Sequence, residues 1–147
     1  MTMMQISRRA KWLGGFALLF PALQLVPVDR SNPPVHSEPA APAAVAEVLR
    51  RSCYDCHSHE TRWAWYAYVA PASWKVAHDV AEAREELNFS DWLSYRTDKR
   101  ARLLEEVLEE VEEEHMPPGY YTVLHPDARL SAAELAQLRN WVESAEN

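Results

Sequence analysis

Cys53-Tyr54-Asp55-Cys56-His57 is the stretch on which the reading of this chain turns. Two thiols at i and i+3 lie about one helical turn apart, and an imidazole follows directly. Each thiol can form a thioether with one vinyl group of a haem, and His57 can then meet the iron from one face. The run is therefore an attachment signature for a c-type haem. The chain has two cysteines, and both lie in this run. A thioredoxin-type redox disulfide also uses Cys-x-x-Cys, but it opens a helix after a strand, and no βαβ pattern surrounds this one. Half a zinc site is the other reading, but no second Cys-x-x-Cys or His-x-x-x-His completes it.

Outward from the motif, the periodicity is helical and predicts an all-α domain. Val45, Val48, Leu49, Cys53 and Cys56 share a face of a helix that starts near Pro42 and brings both thiols to one side. A second helix is predicted from about Pro71 to Leu87, with Trp74, Ala77, Val80, Ala81 and Leu87 inward, before a break at Asn88 and Ser90. A third runs from near Asp98 to about His115 on the stripe Leu103, Leu104, Val107, Leu108 and Val111. Glu105, Glu106, Glu109, Glu110, Glu112, Glu113 and Glu114 read as its solvated face, and Arg84, Arg100 and Arg102 as charges that balance it. Pro117 and Pro118 end it. A fourth, Ser131 to about Ala145, opens with a Ser131/Glu134 capping box and a Leu130–Leu135 staple, and buries Leu135, Leu138, Trp141 and Val142.

The length, 147 residues, suits one small domain with a leader, and 48% hydrophobic residues allow a core. Six Trp and six Tyr suit the apolar walls of a haem pocket, although small helical domains use aromatics as filler too. The net charge of −7 is uneven: Arg8, Arg9, Lys11 and Arg30 against Asp29 leave the first thirty residues at +3 and the rest at −10. An acidic body repels nucleic acid and anionic lipid, and suits a redox partner protein with a basic docking patch. Residues 1–26 read as an export segment: a basic n-region, then a mostly apolar run from Trp12 to Val26 broken by Pro21 and Gln24. Without an A-x-A site after it, both a cleaved signal peptide and a retained membrane anchor stay open. Ser7-Arg8-Arg9 hints at a twin-arginine signal, but Lys11 stands where an apolar residue belongs. Residues 27–41, with Pro27, Pro33, Pro34 and Pro39, read as an extended linker or strap, and residues 42–147 as the haem c-binding domain.

The iron's second axial position needs a distant residue or stays open. Met116 is the leading candidate, since it leaves a helix and is followed by two prolines that stiffen its loop. The alternative is an apolar plug at a helix end. His115, His59, His78 and His125 are the histidine rivals. The choice matters, because methionine opposite histidine raises the reduction potential relative to two histidines, while an open iron invites small ligands or peroxide. Arg62 and Trp63 are candidate haem-edge contacts, Arg62 as a propionate partner. Trp65, Tyr66 and Tyr68 belong to the same aromatic run, with core packing as the alternative.

With these residues in place, the chain resembles the small bacterial haem-binding domain proteins related to cytochrome c, over about residues 27–142. The resemblance rests on Val28-Asp29-Arg30-Ser31-Asn32-Pro33-Pro34, on Ser52 and Ser58 flanking the motif, and on Glu60-Thr61-Arg62-Trp63. It continues through Pro71-Ala72-Ser73-Trp74, Glu86-Leu87-Asn88-Phe89-Ser90 and Met116-Pro117-Pro118. It implies one covalent haem c, His57 as proximal ligand and Met116 as distal ligand. By analogy with class I cytochromes c, it also implies terminal helices that cross near Trp141. The function expected is that of an exported, periplasmic, soluble or membrane-tethered cytochrome that carries single electrons and is not an enzyme. A peroxidase-like enzyme with a displaceable distal ligand, and a haem sensor or accessory subunit of a membrane complex, are the alternatives.

Overall fold

The computed structural model describes residues 19–145, and these are helical with no strand among them; Ser37 and Asp91 form an isolated bridge. The helices are α1 (Ala43–Ser52), α2 (Tyr54–His57), α3 (Ala72–Glu86), α4 (Thr97–Glu112), α5 (Gly119–Leu124) and α6 (Ala132–Ala145). Short 3-10 turns occupy Trp65–Tyr68, Trp92–Ser94 and Pro126–Ala128. The four long helices are those the periodicity predicts. The short α5 and the 3-10 turns are too brief for a period to reveal. Residues 19–23 are helical, no helix among the described residues is long and apolar enough to cross a membrane, and the predicted basic n-region lies outside them.

The chain forms two compact units. The smaller takes described residues 19–30 and 63–78. Within it the Gln24 amide clasps the backbone of Ala70, accepting from its N–H at 2.8 Å and donating to its carbonyl at 3.4 Å. Arg30 donates to the Ala67 carbonyl at 3.2 Å and lies over the Tyr68 ring. Trp65 and Tyr68 are exposed, which rules out core packing for both.

The larger unit takes residues 31–62 and 79–145 and holds the main core. Val45 and Leu49 of α1, Leu103 and Leu104 of α4, and Leu138, Trp141 and Val142 of α6 meet Tyr54, Leu87, Phe89 and Trp92 there. Side chains of this size contribute about 1.5–3 kcal/mol each on full burial. Helix α6 packs on both α1 and α4. The Trp141 indole N–H donates to the Ala40 carbonyl at 3.1 Å, which ties the last helix to the extended segment just before α1. On α3 and just past its end, Val80, Ala83 and Leu87 are buried and Ala81 is exposed, which corrects the predicted inner face at one position, Ala83 in place of Ala81. Residues 80, 83 and 87 follow the i, i+3, i+7 spacing of one stripe, whereas 81 lies beside it.

The predicted cap of α6 is present: Glu134 accepts from the Ser131 N–H at 2.8 Å, and the Ser131 hydroxyl faces the Glu134 N–H at 3.3 Å. Helix α4 closes earlier than His115, at Glu112, because Glu114 takes a left-handed φ of 60°. The Glu114 N–H then bonds the Val111 carbonyl at 3.2 Å and the His115 N–H bonds that of Glu110 at 3.0 Å. That pair of bonds is a Schellman closure, whose left-handed position usually belongs to glycine. Glu114→Gly should stabilise the protein by about 0.5–1 kcal/mol and raise the melting temperature by a few degrees in a thermal melt.

Residues 31–41 of the proline-rich segment are strapped onto this unit. The N–H groups of His36 and Ser37 both donate to the Ser90 carbonyl, at 2.9 and 3.0 Å. Glu38 pairs with Arg50 at 2.7 Å, and Asn32 donates to the Thr61 carbonyl at 2.9 Å. Arg84, predicted as a counter-charge to the glutamates, cinches the strap instead. Its guanidinium donates to the carbonyls of Ser58 and Ser31, to Asn32 Oδ1 and to Thr61 Oγ1, at 2.8–3.1 Å.

Candidate functional site

Cys53 is the residue at which α1 ends and α2 begins. Its N–H bonds the Leu49 carbonyl at 2.8 Å, and its own carbonyl accepts from the N–H groups of Cys56 and His57 at 3.1 and 2.9 Å. This one extra turn sets the spacing of the two thiols. Both cysteines are free thiols. Burial pushes Cys53 up to about 12, with Cys56 beside it adding to the shift. Burial also pushes Cys56 up to about 11, reinforced by the charges of Asp55 and Asp79. A redox nucleophile needs the opposite shift, toward thiolate.

His57 is clamped by the end of α3. Its Nδ1 lies 3.0 Å from the Ala83 carbonyl and 3.1 Å from that of Leu87. Only a protonated Nδ1 can donate to a carbonyl, so the lone pair is left on Nε2. Burial is the main reason the imidazole is held below its ordinary value; the two carbonyls pull the other way. A neutral ring with a free Nε2 and an anchored Nδ1–H is the form that ligates a metal. The backbone holds the same place, with the Phe89 N–H donating to the His57 carbonyl at 2.8 Å.

Asp55, between the two cysteines, was not singled out in the sequence, and it is the most heavily bonded residue of the turn. Its buried carboxylate accepts from Arg62 Nε at 3.0 Å, Arg62 Nη2 at 3.2 Å and the Arg62 N–H at 3.1 Å. The Tyr121 hydroxyl adds a fourth bond at 2.8 Å. Arg62, expected against a propionate, is therefore placed as a fork on Asp55. The signal was a charged residue inside a turn that must face the interior. Trp63 lies in the smaller unit, half-buried, and its indole N–H has no partner, as is also true of Trp74.

Met116 is half-buried at the close of α4, with its N–H on the Glu110 carbonyl at 3.0 Å. The histidine rivals are otherwise engaged or turned outward. His59 bonds the Pro34 carbonyl through Nδ1 and Asn88 through Nε2. His115 is exposed beside Glu113 and Glu110, His78 is exposed, and His125 stacks on the Tyr121 ring at 4.3 Å between centroids. No group of three His, Cys, Asp or Glu side chains among the described residues is arranged to hold a metal ion.

Two protonated thiols on one turn, with an oriented imidazole nitrogen next to them, fit a haem held by Cys53 and Cys56 with His57 on its iron. Such a group supplies one-electron chemistry. The fold and this turn together define a small all-helical haem protein. The chain belongs to the haem-binding domain family, whose profile matches residues 18–144. No curated protein and no solved structure is significantly similar to it.

Proposed function

We propose that this haem-binding protein is an exported c-type cytochrome. It carries one haem bound covalently through Cys53 and Cys56, with His57 and Met116 as axial ligands, and passes single electrons to a partner protein. The observation that carries the reading is the clamp on His57: two helix-end carbonyls fix its tautomer, so Nε2 is ready for iron. The buried, protonated thiols support attachment over disulfide exchange. Met116 is favoured as distal ligand because it is half-buried and its loop is tied at both ends, while His59 and His115 are committed elsewhere. Within this reading the chain's own residues act by holding still. The His57 clamp and the stiff Met-Pro-Pro segment keep both donors in place through the redox cycle, which keeps the reorganisation small.

Location outside the cytoplasm, as a soluble or tethered protein, follows from covalent attachment and from the basic, apolar leader of the sequence. The exposed glutamates of α4, from Glu105 to Glu112, would offer a face to a basic redox partner. We read the protein as a carrier rather than an enzyme, because a His57–Met116 pair would fill both axial positions of the iron.

Optical spectra of both redox states, with and without carbon monoxide, test this. The expected result is sharp haem c bands on reduction, a methionine–iron charge-transfer band on oxidation, and slow binding of carbon monoxide. Rapid carbon monoxide binding together with peroxide turnover would favour the peroxidase-like reading.

A further inference from the structure

We infer that Asp55 and Tyr121 form a positioning latch for the Met116 loop, a role that rests on the reading of Met116 as distal ligand. Tyr121 sits on α5, which starts immediately after Met116-Pro117-Pro118. Its hydroxyl donates to Asp55 Oδ2 at 2.8 Å, across 66 residues of sequence. Asp55 is part of the attachment turn itself, so the bond joins the segment carrying the distal ligand to the segment carrying the proximal one.

The latch is rigid on both sides. The Asp55 carboxylate is held by the Arg62 side-chain fork and the Arg62 N–H, so it cannot swing toward solvent without breaking three bonds. The first turn of α5 is closed by the N–H groups of Tyr121 and Thr122 on the Pro118 carbonyl, at 2.9 and 3.1 Å. Between that carbonyl and Met116 stand two prolines with restricted φ. The other end of the loop is fixed by the Met116 N–H on Glu110. A thioether is a weak ligand, so its occupancy depends on how little freedom its loop has. A charge-assisted hydrogen bond from Tyr121 to a carboxylate is strong enough to decide that freedom.

Tyr121→Phe removes the hydroxyl and keeps the ring that stacks on His125. In the purified holoprotein it should weaken the methionine–iron band and make the reduced protein bind carbon monoxide at least several-fold faster. Asp55→Asn should move both readouts the same way, and serves in its place if Tyr121→Phe yields no holoprotein. Ser131→Ala, a cap variant on α6, is the stability control and should move neither. Met116→Ala fixes the band assignment. If it abolishes the band while Tyr121→Phe and Asp55→Asn leave band and rate unchanged, the latch is wrong and the ligation stands. A band that survives Met116→Ala overturns both. Equal changes in Ser131→Ala would show general loosening and also overturn the latch.

Discussion

The Cys53→Ser, Cys56→Ser double variant is expected to carry no covalent haem at all. Mass spectrometry of the denatured protein reads this directly: the wild-type chain should gain the mass of one haem and the double variant none. Haem staining after denaturing electrophoresis should agree. Serine is close in size to cysteine, and the bonds that build the turn run through the Cys53 backbone carbonyl, so the helical turn should survive the change. Loss is complete rather than partial because the described residues offer no other thiol. Each single variant retains one thioether site and is expected to keep the haem with a shifted reduced band. A double variant that still holds haem through denaturation would sink the attachment reading.

Met116→Ala should retain the covalent haem and change its electronics. The methionine–iron charge-transfer band should vanish, the reduced protein should bind carbon monoxide rapidly, and the reduction potential should fall. A drop of roughly 0.1–0.3 V is expected, within the roughly 0.8 V range that axial ligation spans. The physical cause is the loss of a sulfur donor that favours the ferrous state, with water or a nearby histidine taking its place. His115, one residue away, is exposed among glutamates and would have to leave them to serve. Potentiometric titration followed in the visible region measures the fall. An unchanged potential and band would place the distal ligand elsewhere.

What was legible in the sequence is what repeats or sits close together. The four long helices follow from apolar stripes, the α6 cap from Ser131 and Glu134 three positions apart, and the turn that carries Cys53, Cys56 and His57 from five consecutive residues. The wrong alanine on the inner face of α3 shows the limit of that method: Ala81 and Ala83 are chemically equal, and only the packing chooses between them. Asp55 and Tyr121 were invisible for a different reason. Their partnership is a tertiary contact without local periodicity, and each residue alone looks ordinary. Arg84 looks like a counter-charge to the glutamates in the sequence, and only the fold brings four oxygen acceptors from distant segments around its guanidinium. The early end of α4 depends on a left-handed glutamate, which composition does not announce.

The His57 clamp carries an electrostatic consequence. The carbonyls of Ala83 and Leu87 stand at the C-terminal end of α3, where the aligned peptide dipoles of a helix leave partial negative charge. The imidazole is thus plugged into the negative pole of a fifteen-residue helix. That pole favours whichever redox state is more positive, and so would oppose the upward pull of the proposed thioether ligand. At about 0.3–1 kcal/mol for such a contact, the shift is on the order of 10–40 mV for one electron. If Met116 is the distal ligand, as proposed, the working potential would be a balance struck between a helix end and a sulfur atom. Shortening α3 should tune it without touching either ligand.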